Sequence, residues 1–166
     1  AALATKEQRE GAPYLRPLVL IQSEPRSSTK ETRDADWVKK ELMTNHQIPE
    51  EEIVIATGSK RGLDELEGAY KGGIFSDKCP VKYVITQKAL AEGWDCAFAY
   101  VLVSMAGVKS ATVVEQLLGR ILRQPQATRR KSEPLNRSYA YVVSKDFGET
   151  AETLRDCLVQ SAGFNR

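Results

Sequence analysis

Five short runs constrain this chain more than any other feature. They are 17–22 (P-L-V-L-I-Q), 52–57 (E-I-V-I-A-T), 81–86 (V-K-Y-V-I-T), 99–104 (A-Y-V-L-V-S) and 138–144 (S-Y-A-Y-V-V-S). Each has strand length and is rich in β-branched and aromatic residues, and each ends on a polar residue. A largely unbroken apolar strand, followed by a polar loop and then a helix, is the pattern of a strand buried on both faces in a parallel sheet. Helical periodicity fills the gaps. Residues 35–45 predict a helix with Asp34 as N-cap and Trp37, Val38, Leu42 and Met43 inward. Residues 63–68 predict a short helix, 111–122 a longer one, and 150–161 a closing helix with Ala151, Leu154, Cys157 and Leu158 inward. Strands alternating with helices define an α/β layer fold with a mostly parallel sheet. Residues 1–16 lack sustained periodicity and are expected to be a linker or the cut edge of a larger chain, leaving 17–166 as the domain. The polar stretch 124–136, with Pro125, Pro134 and the cluster Arg129-Arg130-Lys131, is expected to be a mobile, solvated surface loop.

In open parallel sheets, functional loops gather beyond the carboxyl ends of the strands. Those ends here are Gln22-Ser23, Thr57-Gly58 and Thr86-Gln87, all able to hydrogen-bond a phosphate or sugar. Polar residues end most strands, so no one of these ends is informative singly. Their meaning depends on what else the chain brings to that edge.

The helix expected at 111–122 supplies it. Along V-V-E-Q-L-L-G-R-I-L-R (113–123), Val114, Leu117, Leu118 and Ile121 form an ordinary core stripe. Gln116, Gly119, Arg120 and Arg123 fall on the other side. No carboxylate one turn away pairs with the arginines, and the glycine costs a helix roughly 1 kcal/mol. Two guanidiniums on a rigid scaffold suit an anion arriving from elsewhere, and phosphate matches their fork.

Composition narrows the classes. With 24 basic and 22 acidic residues among 166, the formal charge is +2, so a nucleic-acid surface has to be a local patch. Cys79, Cys96 and Cys157 are scattered without a C-x-x-C pair, which suits reduced thiols in the cytoplasm. His46 is the only histidine, leaving little basis for His-rich metal sites or Ser-His-Asp chemistry. No run approaches the ~18 apolar residues of a membrane span. No G-x-G-x-x-G loop follows the first strand, against a dinucleotide enzyme.

Gln116, Gly119, Arg120 and Arg123 match Q-x-x-G-R-x-x-R, and Thr86 followed by Gly93 and Asp95 matches a strand-ending Thr with a later G-x-D. In that order the motifs resemble the second RecA-like domain of superfamily-two helicases and translocases, over roughly 17–164. The runs A-E-G-W-D-C-A-F-A-Y-V-L-V-S and E-Q-L-L-G-R-I-L-R-Q-P are closest in flavour to the helicase subunit of type III restriction enzymes and related DEAD/DEAH-like proteins.

The resemblance implies a RecA-like three-layer α/β/α domain and a set of roles. Arg120 and Arg123 would reach the ATP γ-phosphate, with Arg123 the arginine finger. Gln116, Gly119, Gly93 and Asp95 would serve the nucleotide, Asp95 at the ribose. Thr86, with Gln22, Ser23 and Gly58, would face nucleic-acid phosphates. Glu92 departs from the arginine many relatives carry there, and Trp94 is expected to be a packing residue. Neither G-x-x-x-x-G-K-[ST] nor D-E-x-[DH] occurs in the chain, so ATP and Mg would be held mainly by a first RecA-like domain of the same full-length protein. Further expected partners are DNA or RNA and, in a restriction system, a modification subunit. A repair or RNA helicase domain and a non-catalytic RecA-like scaffold remain as alternatives.

Overall fold

The computed structural model describes residues 2–57, 62–87, 98–105, 129–143 and 152. Five parallel strands, β1 (Leu18–Gln22), β2 (Ile53–Ile55), β3 (Tyr83–Thr86), β4 (Ala99–Ser104) and β5 (Tyr139–Val142), form one sheet in the order β2-β3-β1-β4-β5. All five expected strands are present, trimmed at their ends. Glu52 leaves the second run because Glu50–Glu52 form a 3-10 turn ahead of β2.

Alternation along the strands splits the core in two. Leu18, Leu20, Val54, Val84 and Leu102 face one side. Ile21, Ile53 and Ile85 face the other. Helix α2 (Ala35–Asn45) packs on the second face through Ala35 and Val38, and α3 (Gly62–Ala69) packs on the first through Leu63 and Leu66. This gives helix, sheet and helix layers. Chain direction explains the placement. The step from β1 to β2 and the step from β2 to β3 run in opposite directions across the sheet, so right-handed crossovers put their helices on opposite faces. The α3 start fits tightly: a Cβ on Gly62 would lie 2.5 Å from the Ile55 carbonyl oxygen, so only glycine seats there.

The Asp34 side chain caps α2 by accepting from the Trp37 amide at 2.9 Å, as its position predicts. The expected inward stripe is narrower than the pattern suggested. Ala35 and Val38 are buried and Leu42 is half-buried against the core, whereas Trp37 and Met43 are each 37% exposed. An α2 lying over β2 and β3 turns only part of its apolar arc inward.

Two further expectations change. Residues 2–9 form a helix, α1 (Ala2–Arg9), and Ala4, Glu7, Leu15 and Arg16 are buried, unlike residues of a solvated linker. Ala4 and Leu15 pack with Tyr100 and Leu135. Tyr100 is aimed there by a bulge, since Leu18 pairs with Ala99 and Val19 with Val101, leaving Tyr100 as the extra residue of β4. Arg16 is buried and donates to the carbonyls of Ile74, Ser76 and Cys79 and to the Tyr14 hydroxyl, tying the turn ahead of β3 to the entry of β1. The basic cluster is likewise not uniformly solvated. Arg130 is buried and donates to the Pro13 carbonyl at 2.9 Å, while Glu7 accepts from the Ser132 amide. Hydrogen bonds from Ser132, and then the nearby Arg130 charge, hold the Glu7 carboxyl below its usual range. The expected helix at 111–122 lies outside the described residues, as does that at 150–161 apart from Glu152.

Candidate functional site at the carboxyl ends of the strands

Because β1 lies between β3 and β4, three polar strand ends stand side by side. Gln22 is in register with Thr86 on one side and Ser104 on the other. By alternation all three project to the face of Leu20, Val84 and Leu102. The backbone ladder continues past them. Ser23 N–H donates to the Thr86 carbonyl at 2.7 Å, and Met105 N–H to the Gln22 carbonyl at 2.9 Å. Side chains close the row: the Ser104 hydroxyl donates to Gln22 Oε1 at 2.8 Å, and the Ser23 hydroxyl to the Thr86 carbonyl at 3.2 Å.

Every member is buried, from 0% exposed at Ser23 and Ser104 to 5% at Gln22. Buried polar groups need partners, and the Ser23 and Ser104 hydroxyls find theirs within the row. The row is neutral. It offers hydroxyl and amide hydrogen bonds, so binding a phosphate there requires positive charge from another part of the chain.

Of the expected site residues, the structure brings Gln22, Ser23 and Thr86 together. Gly58, Gly93, Asp95, Gln116, Gly119, Arg120 and Arg123 lie outside the described residues. Ser104 is the member sequence reasoning passed over. Its signal was the polar end of the fourth run, and its importance depends on β4 being the other neighbour of β1. Among the described residues no cluster of His, Cys, Asp or Glu could hold a metal ion, and no helix is long and apolar enough to cross a membrane. Cys79 is a free, buried thiol.

No protein-family model matches the chain, and no curated protein matches it. Among solved structures it is similar to the C-terminal domain of Dbp5 from S. cerevisiae, solved bound to Gle1 and IP6. That likeness has 13% identity and a TM-score of 0.45, over 95% of this chain and 76% of the other. The sheet order, the helices on both faces and the polar carboxyl edge define a doubly wound α/β domain.

Proposed function

We propose that the chain is the second RecA-like motor domain of an ATP-dependent helicase or translocase. The observation that carries this is the ordered set of motifs: Thr86 at a strand end, Gly93-x-Asp95 after it, then Gln116, Gly119, Arg120 and Arg123 at helical spacing. Thr86 lies beside the central strand at the carboxyl edge, where open α/β sheets take ligands. Arg120 and Arg123 reach the γ-phosphate of ATP. Arg123 offsets negative charge developing on the transferring phosphoryl oxygens. Asp95 and Gln116 hold the nucleotide from this side, and a domain carrying a phosphate-binding loop holds ATP and Mg from the other. Thr86, Gln22, Ser23 and Gly58 belong to the nucleic-acid side. Hydroxyl and amide contacts to phosphate do not separate DNA from RNA. The long runs around Trp94 and Gln116 extend the proposal to a cytoplasmic type III restriction translocase acting on DNA with a modification subunit.

The test is Arg123→Ala in the whole motor protein. ATP turnover should fall about a thousandfold, the lower end of an arginine finger's contribution. ATP affinity should change far less, because the contact strengthens as charge develops. Lysine at 123 should rescue poorly, since a point charge does not reproduce the planar fork. Intact turnover in a protein that melts early would make Arg123 structural and end the motor reading.

A further inference from the structure

Ser104 ends β4 with no exposed surface, in register with Gln22 at the end of β1. Its hydroxyl donates to Gln22 Oε1 at 2.8 Å, the usual length of a well-formed O–H···O bond. The two residues are 82 positions apart, so the bond exists only because β4 lies beside β1. The backbone around Gln22 is already committed to the sheet. Its carbonyl takes the Met105 N–H at 2.9 Å, and the Ser23 N–H goes to the Thr86 carbonyl at 2.7 Å. What Gln22 can offer a ligand is therefore its side-chain amide.

That amide has two unlike ends of nearly equal size. Oε1 only accepts hydrogen bonds and Nε2 only donates them. Shape does not decide which end faces outward; hydrogen bonding does. With Oε1 engaged by Ser104, Nε2 is the end left over. Among the described residues the buried side-chain atoms without a partner are Arg16 Nε and Arg130 Nε and Nη2. Gln22 Nε2 is not one of them, and no described residue accepts from it, so it is reached by solvent in a residue only 5% exposed overall. Two N–H donors at a strand end suit an oxygen that only accepts, as phosphate oxygens do. The reversed amide would present Oε1 to the same oxygen and repel it.

We infer that Ser104 is a positioning residue, which holds the Gln22 amide with Nε2 outward as a donor to a nucleic-acid phosphate. This rests on the motor reading, which puts Gln22 on the nucleic-acid side, and adds the residue that orients it. Ser104, fully buried, acts through Gln22. The row stays neutral, so the contact contributes a directed hydrogen bond and releases no counterions.

The experiment is titration of the full-length motor protein with fluorescein-labelled oligo-dT and oligo-U over a range of salt concentrations. Gln22→Leu keeps bulk and removes both amide ends, and it should weaken binding about tenfold, the lower end for a hydrogen bond to a charged group. Ser104→Ala should weaken it about threefold, because affinity falls with the fraction of time the donor points outward. Ser104→Thr keeps the hydroxyl and should bind as the parent does. The slope of log affinity against log salt should be the same in all of them, since no cation has been removed. In a Gln22→Leu background, Ser104→Ala should cause no further loss, as expected where one residue acts through the other. If the added methyl of Ser104→Thr makes that variant melt early, the double-mutant cycle still decides. Parental affinity in Ser104→Ala overturns the inference, as does failure of the parent to bind either strand. An equal loss in the Gln22→Leu background also overturns it, and would make Ser104 a structural support only. A lower salt slope in Ser104→Ala does the same, because cation contacts would then have moved. Turnover that depends on Arg123 beside affinity indifferent to Ser104 overturns this positioning role alone. Affinity that depends on Ser104 through Gln22, beside turnover indifferent to Arg123, overturns the motor reading alone.

Discussion

β1 and β5 are both strands of mainly apolar residues, but β1 pairs on both sides while β5 pairs with β4 alone among the described strands. Along β1 only Val19 is even partly open. Along β5 Tyr139, Ala140 and Tyr141 are exposed, and Val142 is half-buried against the core. Their polar neighbours follow suit. Gln22 and Ser23, at the end of β1, are locked into buried hydrogen bonds, whereas Arg137, ahead of β5, lies in water beside Glu133. An apolar residue contributes according to the area that its neighbours remove from water, so similar strands differ in energy by their place in the sheet.

The largest break in that comparison should come from paired truncations in the two regions. Leu102 on β4, beside β1, is 0% exposed, and Leu102→Ala should cost about 2–5 kcal/mol by lost transfer energy and a residual cavity. Val143→Ala, just beyond β5, should stay within about 0.5 kcal/mol. Chemical denaturation of the two variants measures both. Comparable losses would mean that the β5 face is covered in solution.

Next in size is Ser104→Ala, which takes the serine donor from buried Gln22 Oε1. The expected loss is about 1–2 kcal/mol, the usual penalty for a stranded buried acceptor. A thermal melt indistinguishable from the parent would show that the carboxyl-end row is not held by this bond.

A smaller effect, visible only in acid, concerns the seam between α1 and the segment leading to β5. The Glu7 carboxyl is depressed below its ordinary value of 4.5, first by hydrogen bonds from Ser132. Its contribution to stability is therefore complete above that ordinary value and fades as the pH falls through the depressed one. Glu7→Gln should flatten this part of the acid unfolding profile and change little at neutral pH beyond the lost charge-assisted bond. Parallel profiles for variant and parent would place the acid sensitivity elsewhere.

The fold class was legible because burial on both faces of a parallel strand leaves an apolar run, and all five runs became strands; the expected burial fails at β5, where Tyr139, Ala140 and Tyr141 are exposed. The polar strand ends were legible individually. The short helix at 63–68 was legible, but the α2 stripe was overread, since Trp37 and Met43 sit beyond the arc that contacts the sheet. Arg16 and Arg130 were unreadable as core residues. Composition rules place arginine outside; Arg16 is buried where the carbonyls of Ile74, Ser76 and Cys79 converge on it, and Arg130 where it meets the Pro13 carbonyl near the Glu7 carboxylate.

What the sequence by itself determined is local: which segments are strands, where α2 is capped, and where Arg120 and Arg123 fall on a helical pattern. Periodicity and capping act over a few residues, so they can be read without knowing the neighbours. The tertiary structure alone decided that β1 lies between β3 and β4, and hence that Gln22, Ser23, Thr86 and Ser104 form one buried row. It also decided that α1 belongs to the core and that the tyrosines of β5 face water. The reason is that hydrophobicity marks a strand as fit for burial but does not name its partner. Strand order is settled by crossover handedness and by packing between residues more than sixty positions apart, such as Ser23 and Thr86.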